Sequence, residues 1–180
     1  SVREALQGLL SMGVVERRGN RSYVAEHLPT VVVERGANRK SFVAELFETR
    51  RVLEVPIFEM AAERADDDSR RQIAALASSF NPSLGIIEFR QLDREFHTTI
   101  AKSCGNPLLI ELYGKVLDEL FRSGEFDELL GAEENRLEVE QIIADSSAAH
   151  RAIADALQSH DAAAVRGFTQ SHLDQVEQAM

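Results

Sequence analysis

The chain has 180 residues, 44% hydrophobic and 28% charged, enough for one ordinary domain with a buried core and a small appendage. With 10 Gly, 4 Pro and one cysteine, this composition excludes a collagen-like repeat, a disulfide scaffold and a largely disordered chain. No apolar run reaches the roughly 18 residues of a membrane span, and no secretory segment opens the chain. We therefore expect a cytoplasmic protein without a membrane partner.

The net charge of −10 argues against a nucleic-acid partner, but the charges are unevenly distributed. Residues 1–40 contain seven basic and four acidic side chains, a net charge of +3. Residues 41–180 contain 13 basic and 26 acidic side chains, a net charge of −13. This asymmetry predicts two parts of the chain with different partners.

The first 26 residues predict one helix followed by a β-hairpin. Residues 1–12 have an apolar stripe at the helical period, and Gly13 suits the end of that helix. Two short β-favouring runs, 14–18 and 21–25, flank a Gly19-Asn20 turn. A helix and a hairpin of this size cannot bury the stripe alone, so we expect further helices before Ser1.

Three features in this segment occur in a recognisable order: Val2-Arg3-Glu4-Ala5-Leu6, then Gly13, then a hairpin ending Ser22-Tyr23-Val24. Together they resemble the second half of the winged helix-turn-helix of GntR-family transcriptional regulators. The resemblance implies that residues 1–26 are a partial DNA-binding domain whose first two helices would precede Ser1. It also implies that double-stranded operator DNA is a partner.

Four arginines are the candidate DNA contacts. A recognition helix presents its N-terminal side chains to base edges, where Arg commonly reads guanine, so Arg3 is the candidate base contact. Arg17, Arg18 and Arg21 surround the hairpin turn and would contact phosphates or the neighbouring minor groove. Without the resemblance, a solvated basic hairpin packed on a helical bundle would explain the same charges.

Residues 27–40 predict a linker, because they lack a helical stripe and contain Pro29, Gly36 and Asn38. We place the domain boundary near residue 38. Residues 41–180 predict an all-α fold, an antiparallel bundle of about six helices. The expected helices are 41–61, 66–79, 84–103, 107–123, 134–159 and a last helix that ends at 179. Ser41 would cap the first helix, which would kink or restart at Pro56, and Asp161 would cap the last one. A loop is expected at 124–131.

Four side chains on three of these helices are candidate metal ligands. Asp93 and His97 are four residues apart and therefore lie on one side of their helix. His150 and His172 lie on the last two helices, each close to an apolar stripe. Three imidazoles and a carboxylate suit Zn²⁺ or a similar divalent ion. Each histidine taken singly is more ordinary as a hydrogen-bonded helix residue, so the prediction depends on the whole set.

The helical region also has four motifs of a known effector domain: Asp93-x-x-Phe96-His97, Gly105-Asn106-Pro107-Leu108, the run 150–157 with Asp161, and Ser171-His172-Leu173. They resemble the FCD domain of the FadR subfamily of GntR regulators. In its metal-binding branch the positions matched by Asp93, His97, His150 and His172 are the ligands. The resemblance thus implies a divalent ion, Zn²⁺ first, with Ni²⁺ or Mn²⁺ as alternatives. The family often has Glu before the third ligand, where this chain has Ala149.

The segment 48–54 resembles the family's first effector-domain helix, whose arginine, matched by Arg50, reaches the ligand cavity. Arg offers a two-pronged donor to a carboxylate, and an open metal position accepts another oxygen of the same molecule. A metal ion and Arg50 therefore imply a small organic acid as effector. An Arg50–Glu54 ion pair on the helix surface is the alternative interpretation.

The sequence predicts a ligand-responsive DNA-binding transcriptional regulator, and palindromic operators favour a homodimer. A metal-dependent enzyme in a helical bundle is the alternative, because a metal ion with open positions activates water. The chain, however, has neither a His-Glu-x-x-His motif nor an evident general base. A purely structural helical protein would leave the basic hairpin and the four ligands unexplained.

Overall fold

The computed structural model describes residues 7, 10, 15–19, 21–24, 39–122 and 130–178. The chain divides into two compact units, residues 1–36 and 37–180. Positions 7 and 10 are helical, while the rest of the predicted first helix, with Arg3, lies outside the described residues. The predicted linker up to residue 38 and most of the predicted loop at 124–131 also lie outside them.

The first unit contains the predicted hairpin. Strand β1 (Val15–Arg18) pairs antiparallel with β2 (Arg21–Val24), and the register places Arg18 opposite Arg21 beside the turn. Gly19 has a φ of 65°, the left-handed conformation that a two-residue hairpin turn requires and that glycine adopts without strain. The prediction of a hairpin is confirmed.

The second unit is a bundle of six long helices within the described ranges, which confirms the predicted all-α fold. The helices are α1 (Arg39–Arg64), α2 (Asp67–Ser79), α3 (Ile86–Lys102), α4 (Pro107–Phe121), α5 (Arg136–Gln158) and α6 (Ala162–Gln178). A short 3-10 turn, Glu133–Asn135, precedes α5. Helix α1 packs against α3, α4 and α6, while α5 packs against α2 and α6. None of the helices in the described part is long and apolar enough to cross a membrane.

Polar side chains begin three of the helices where the sequence places them. The Asp66 carboxylate accepts a hydrogen bond from the Ser69 amide at 2.8 Å and caps α2. Asn106 caps α4 in the same way, with Pro107 as its first residue. The Asp161 carboxylate accepts from the Ala164 amide at 2.9 Å at the start of α6. Each such cap stabilises its helix by about 1 kcal/mol.

Helix α1 differs from the prediction at two points. It begins at Arg39, so Ser41 lies within its first turn and is not the cap. It also continues through Pro56 to Arg64, so the expected restart at Pro56 is wrong. Pro56 and Val52, whose carbonyl loses its partner because proline has no N–H, are both exposed. Water can therefore replace the missing hydrogen bond.

The buried Arg70 joins three helices of the bundle. Its guanidinium donates to the carbonyls of Ala62 and Ala65 at the end of α1 and of Leu157 at the end of α5. The last carbonyls of a helix have no partner within the helix, so this side chain supplies donors to Ala62 and Ala65 at the end of α1. The Leu157 carbonyl also accepts a hydrogen bond from the His160 amide at 3.2 Å.

We expect Arg70→Met to lower the free energy of unfolding by about 2–3 kcal/mol, because the carbonyls of Ala62 and Ala65 lose this donor. The matched control is Arg71→Met, which removes an exposed ion pair with Asp68 and should cost about 0.5 kcal/mol or less. Urea denaturation followed by circular dichroism measures both values. Similar losses for the two variants would contradict this role of Arg70.

Candidate metal centre

The bundle brings the four predicted metal ligands together. Asp93 and His97 lie one turn apart on the same side of α3, His150 comes from α5 and His172 from α6. All four side chains are buried. Each offers a ligand atom, and these atoms all lie within 4.8 Å of one another. Residues from 93 to 172 thus converge on one point in the core.

The spacing of these atoms fits a metal ion. The Nε2 atom of His150 lies 3.1 Å from Nε2 of His97 and 3.3 Å from Nε2 of His172. The Asp93 Oδ1 atom lies 3.2 Å from Nε2 of His150 and 3.4 Å from Nε2 of His97. Four ligand atoms arranged tetrahedrally at metal bond lengths of about 2.0–2.1 Å would be separated by about 3.3 Å.

Electrostatics prepares three of the four groups for a cation. Burial, with the nearby His97 and Arg50, lowers the pKa of His172 to about 3. Burial, with His172, lowers the pKa of His150 well below its ordinary value. Burial raises the pKa of Asp93, but His97 and His150 lower it by more, so the net pKa is below the ordinary value. At neutral pH the site therefore contains two uncharged imidazoles and a carboxylate, the forms that bind metals.

Glu54 is a buried partner of His97 that the sequence analysis did not assign to the site. Its Oε1 atom lies 2.9 Å from Nδ1 of His97, and its Oε2 atom accepts a hydrogen bond from the Tyr113 hydroxyl at 2.6 Å. A carboxylate facing Nδ1 favours the tautomer with the proton there, which leaves the Nε2 lone pair directed at the cluster. In that tautomer Nε2 can bind a metal ion. Burial lowers the pKa of His97, but Glu54 and Asp93 raise it by more, so a metal ion must compete with a proton for this ring.

Arg50 lies beside the cluster, not on the helix surface. Its Nε donates to Glu54 Oε2 at 2.6 Å, and its Nη2 lies 3.1 Å from both ring nitrogens of His97. Arg50 and Glu54 form the ion pair of the alternative interpretation. Both side chains are buried, however, so the prediction that this pair lies on the helix surface is wrong. Burial lowers the pKa of Arg50, but Glu54 raises it by more, so the guanidinium stays charged.

Aromatic rings pack on His150. Phe80, at the end of α2, and Phe96 have ring centroids 4.4 and 4.7 Å from that of His150. The Nδ1 atoms of His150 and His172 have no hydrogen-bond partner within the described ranges. Ring packing therefore helps to hold His150, whereas His97 also has a carboxylate at its Nδ1 atom.

A cavity of about 40 Å³ adjoins the cluster, and Arg50, Asp93 and His172 form part of its wall. A small molecule in the cavity would meet a guanidinium and the metal-binding side chains directly. Asp93 and His172 thus border both the cluster and the cavity.

The predicted DNA contacts lie in the first unit. The side chains of Arg17, Arg18 and Arg21 are exposed on the hairpin, and the Arg18 guanidinium lies 5.9 Å from the ring centroid of Tyr23. Arg3 lies outside the described residues. The structure thus brings together the residues predicted to bind the metal ion and the effector. The three hairpin arginines are exposed to solvent.

The role of Glu54 had a sequence signal. Glu54 continues the stripe of Phe47 and Arg50, which leads on to the buried Ile57 and Phe58. A carboxylate within an apolar stripe indicates a buried partner more strongly than a surface pair.

Comparisons with known proteins identify the family. The FCD domain model matches residues 45–175. The HTH-type transcriptional repressor NanR of Shigella dysenteriae is 30% identical over 190 residues, covering 98% of this chain and 68% of that protein. NanR of Escherichia coli K12 matches to the same extent. This chain belongs to the GntR family.

Two solved structures share the fold of this GntR-family chain. Streptococcus agalactiae GntR aligns with a TM-score of 0.68 and 22% identity, over 99% of this chain and 81% of that one. The metal-free FCD domain of TM0439 aligns with a TM-score of 0.60 and 23% identity, over 80% of this chain and 94% of that one. The family assignment makes the chain a transcriptional regulator with an effector-binding domain, not an enzyme.

We expect Glu54→Gln to weaken Zn²⁺ binding by about 10- to 100-fold, because an amide no longer fixes the His97 tautomer with a negative charge. The control, Glu48→Gln, removes an exposed carboxylate from the same helix and should leave affinity unchanged. Competition with a chromophoric chelator measures the affinities. Equal Zn²⁺ affinity in both variants would show that Glu54 does not support the site.

Proposed function

We propose that the helical unit binds a divalent metal ion through Asp93, His97, His150 and His172. We further propose that a small organic acid binds at this ion and Arg50 and thereby modulates the affinity of the regulator for double-stranded operator DNA. The observation that carries the proposal is the convergence of four buried ligand atoms beside a buried guanidinium.

The balance of buried charge favours an anionic effector. Arg50 contributes one positive charge, and Glu54 and Asp93 contribute two negative charges. A divalent cation would leave this group with one excess positive charge in a medium where unpaired charges are costly. A carboxylate in the adjoining cavity neutralises that excess and can accept hydrogen bonds from the guanidinium.

The ligand set favours Zn²⁺, with Ni²⁺ or Mn²⁺ as alternatives, because three imidazoles and one carboxylate suit each of these ions. A bound ion would supply positive charge and an open coordination position for an oxygen of the acid. Arg50 would orient the same carboxylate, and the aromatic rings around His150 would exclude water from the site.

The hairpin supports the proposed DNA partner. Arg18 and Arg21 are cross-strand partners beside the turn, and Arg18 also forms an ion pair with Glu16. Arg17 and Arg21 add exposed cations on the same hairpin, and DNA phosphates are anions that such side chains contact. We assign Arg3 to base recognition and expect a homodimer on a palindromic operator in the cytoplasm.

The metal proposal predicts about one equivalent of divalent metal in the purified protein. We expect both His150→Ala and His172→Ala to lose most of this metal, because each variant lacks one of four ligands. The control is His160→Asn, at an exposed position with a φ of 56° that asparagine tolerates. Elemental analysis measures the metal, and circular dichroism confirms folding. Unchanged metal content in both folded alanine variants would eliminate the site.

The DNA proposal is tested with the full-length protein. We expect Arg3→Ala to reduce affinity for the operator by about 1–3 kcal/mol and to relax specificity at one base, while Arg18→Ala weakens binding to all sequences. Fluorescence anisotropy on operator and random duplexes, at several salt concentrations, measures both effects. An equal loss on the two duplexes for Arg3→Ala would make Arg3 a phosphate contact.

A further inference from the structure

The cavity beside the cluster extends along the surrounding helices, and its chemistry changes along its length. On α3, Asp93 lies at the cluster, Phe89 about one turn before it and Ile86 two turns before it, and all three line the cavity. With a rise of 1.5 Å per residue, Ile86 lies about 10 Å from Asp93 along the helix axis. The wall that α3 provides therefore begins at a carboxylate and becomes apolar.

Helix α6, which contributes His172 to the cluster, and helix α1, whose Arg50 lies beside it, repeat this order. On α1, Phe47 lines the cavity about one turn before Arg50, and on α6 Val176 lines it one turn after His172. Side chains three or four residues apart lie on one face of a helix, so each pair forms adjacent parts of the wall. The polar ends of the three pairs meet at the cluster, and their apolar ends lie away from it.

Helix α5 contributes a hydroxyl between the two ends. Ser146, one turn before His150, lines the cavity, and Ile142 lines it one turn further on. The end of α4 adds Leu120 and Phe121 to the apolar end.

Within the described part of the cavity wall, Arg90 is a charged side chain near the apolar end. Its Nη2 donates to the Phe121 carbonyl at 3.1 Å, and its guanidinium lies 5.5 Å from the centroid of the Phe121 ring. The side chain is thus directed at the end of α4, which it joins to α3.

We propose that the effector is a short monocarboxylic acid whose end opposite the carboxylate is a hydrocarbon, without a hydroxyl or a second charge. This inference rests on the proposed function, because the carboxylate is placed at the metal ion and Arg50. In the described part of the wall, a hydroxyl or carboxylate at the far end would have to compete with the Phe121 carbonyl and ring for Arg90. A methyl group there gains from burial against Ile86, Ile142 and Val176 without disturbing that contact. The small cavity restricts the acid to a short chain.

Three acids of nearly equal length test the proposal. Pentanoate and 4-hydroxybutyrate differ by exchange of a terminal methyl for a hydroxyl, and glutarate has a second carboxylate at that end. We expect isothermal titration of the Zn²⁺-loaded chain to show pentanoate binding about tenfold more tightly than 4-hydroxybutyrate, with glutarate weakest. Tighter binding of 4-hydroxybutyrate or glutarate would overturn the proposal, as would equal affinities.

A variant pair locates the effect in the cavity. Val176→Thr replaces one methyl group by a hydroxyl with little change of shape, so we expect pentanoate affinity to fall about five- to tenfold while 4-hydroxybutyrate binds at least as well as before. Val52→Thr makes the same exchange at an exposed position of α1 and is the control. Equal pentanoate affinity in the two variants would overturn the proposed orientation of the acid.

The outcomes separate this inference from the function on which it rests. In one outcome, all three acids bind with equal affinity and Arg50→Lys weakens the binding of each one. This result supports a carboxylate effector but overturns the proposal that its far end is a hydrocarbon. Absence of binding by every acid to protein shown to contain Zn²⁺ overturns both proposals.

Discussion

The burial of the Glu54 carboxylate is the constraint on which the site depends. A carboxylate removed from water is strongly unfavourable unless charged groups and hydrogen-bond donors surround it. Glu54 meets this requirement with Arg50 from its own helix, His97 from α3 and Tyr113 from α4. Burial raises the pKa of Glu54, but Arg50 and His97 lower it by more, so the group remains an anion. Three helices must therefore keep their relative positions for this one charge to stay paired, and His97 and Arg50 are oriented as a result.

The other half of the cluster has no such support. His150 and His172 lie on α5 and α6, and their Nδ1 atoms have no partner among the described residues. Their low pKa values mean that neither ring gains a proton to form an ion pair with Asp93. Direct packing and the ion pairs of Arg51 with Asp174 and Glu177 already join α6 to α1. A bound metal ion would add bonds at the centre of the bundle, between His150 and His172 on one side and the two ligands of α3 on the other.

Most of the fold could be predicted from the sequence, because the ends of the helices depend on residues that are close together in the chain. Asp66, Asn106 and Asp161 begin helices through bonds to amides two or three residues away, and such patterns are visible in the chain. The convergence of His150 and His172 is different, since residues on separate helices have no spacing that reveals their distance. A family resemblance indicated it, and the packing of the helices brings the atoms together. Glu54 was overlooked because an Arg and a Glu four residues apart also form ordinary surface pairs.

Coupling between the proposed effector site and the proposed DNA contacts would depend on helix α1, which connects the cavity with α6. Arg50 lies in the wall of the cavity, and the adjacent Arg51 forms ion pairs with Asp174 and Glu177 on the outer side of α6, the helix that contains His172. A shift of α6 on binding of a metal ion or an acid would thus act on α1 through Arg50 inside and Arg51 outside. Helix α1 begins at Arg39, near the start of the second unit, and its Arg50 borders the cavity of the proposed effector site. Coupling between the two sites requires two positions of this helix with different affinity for the acid, since a ligand that binds both equally shifts nothing.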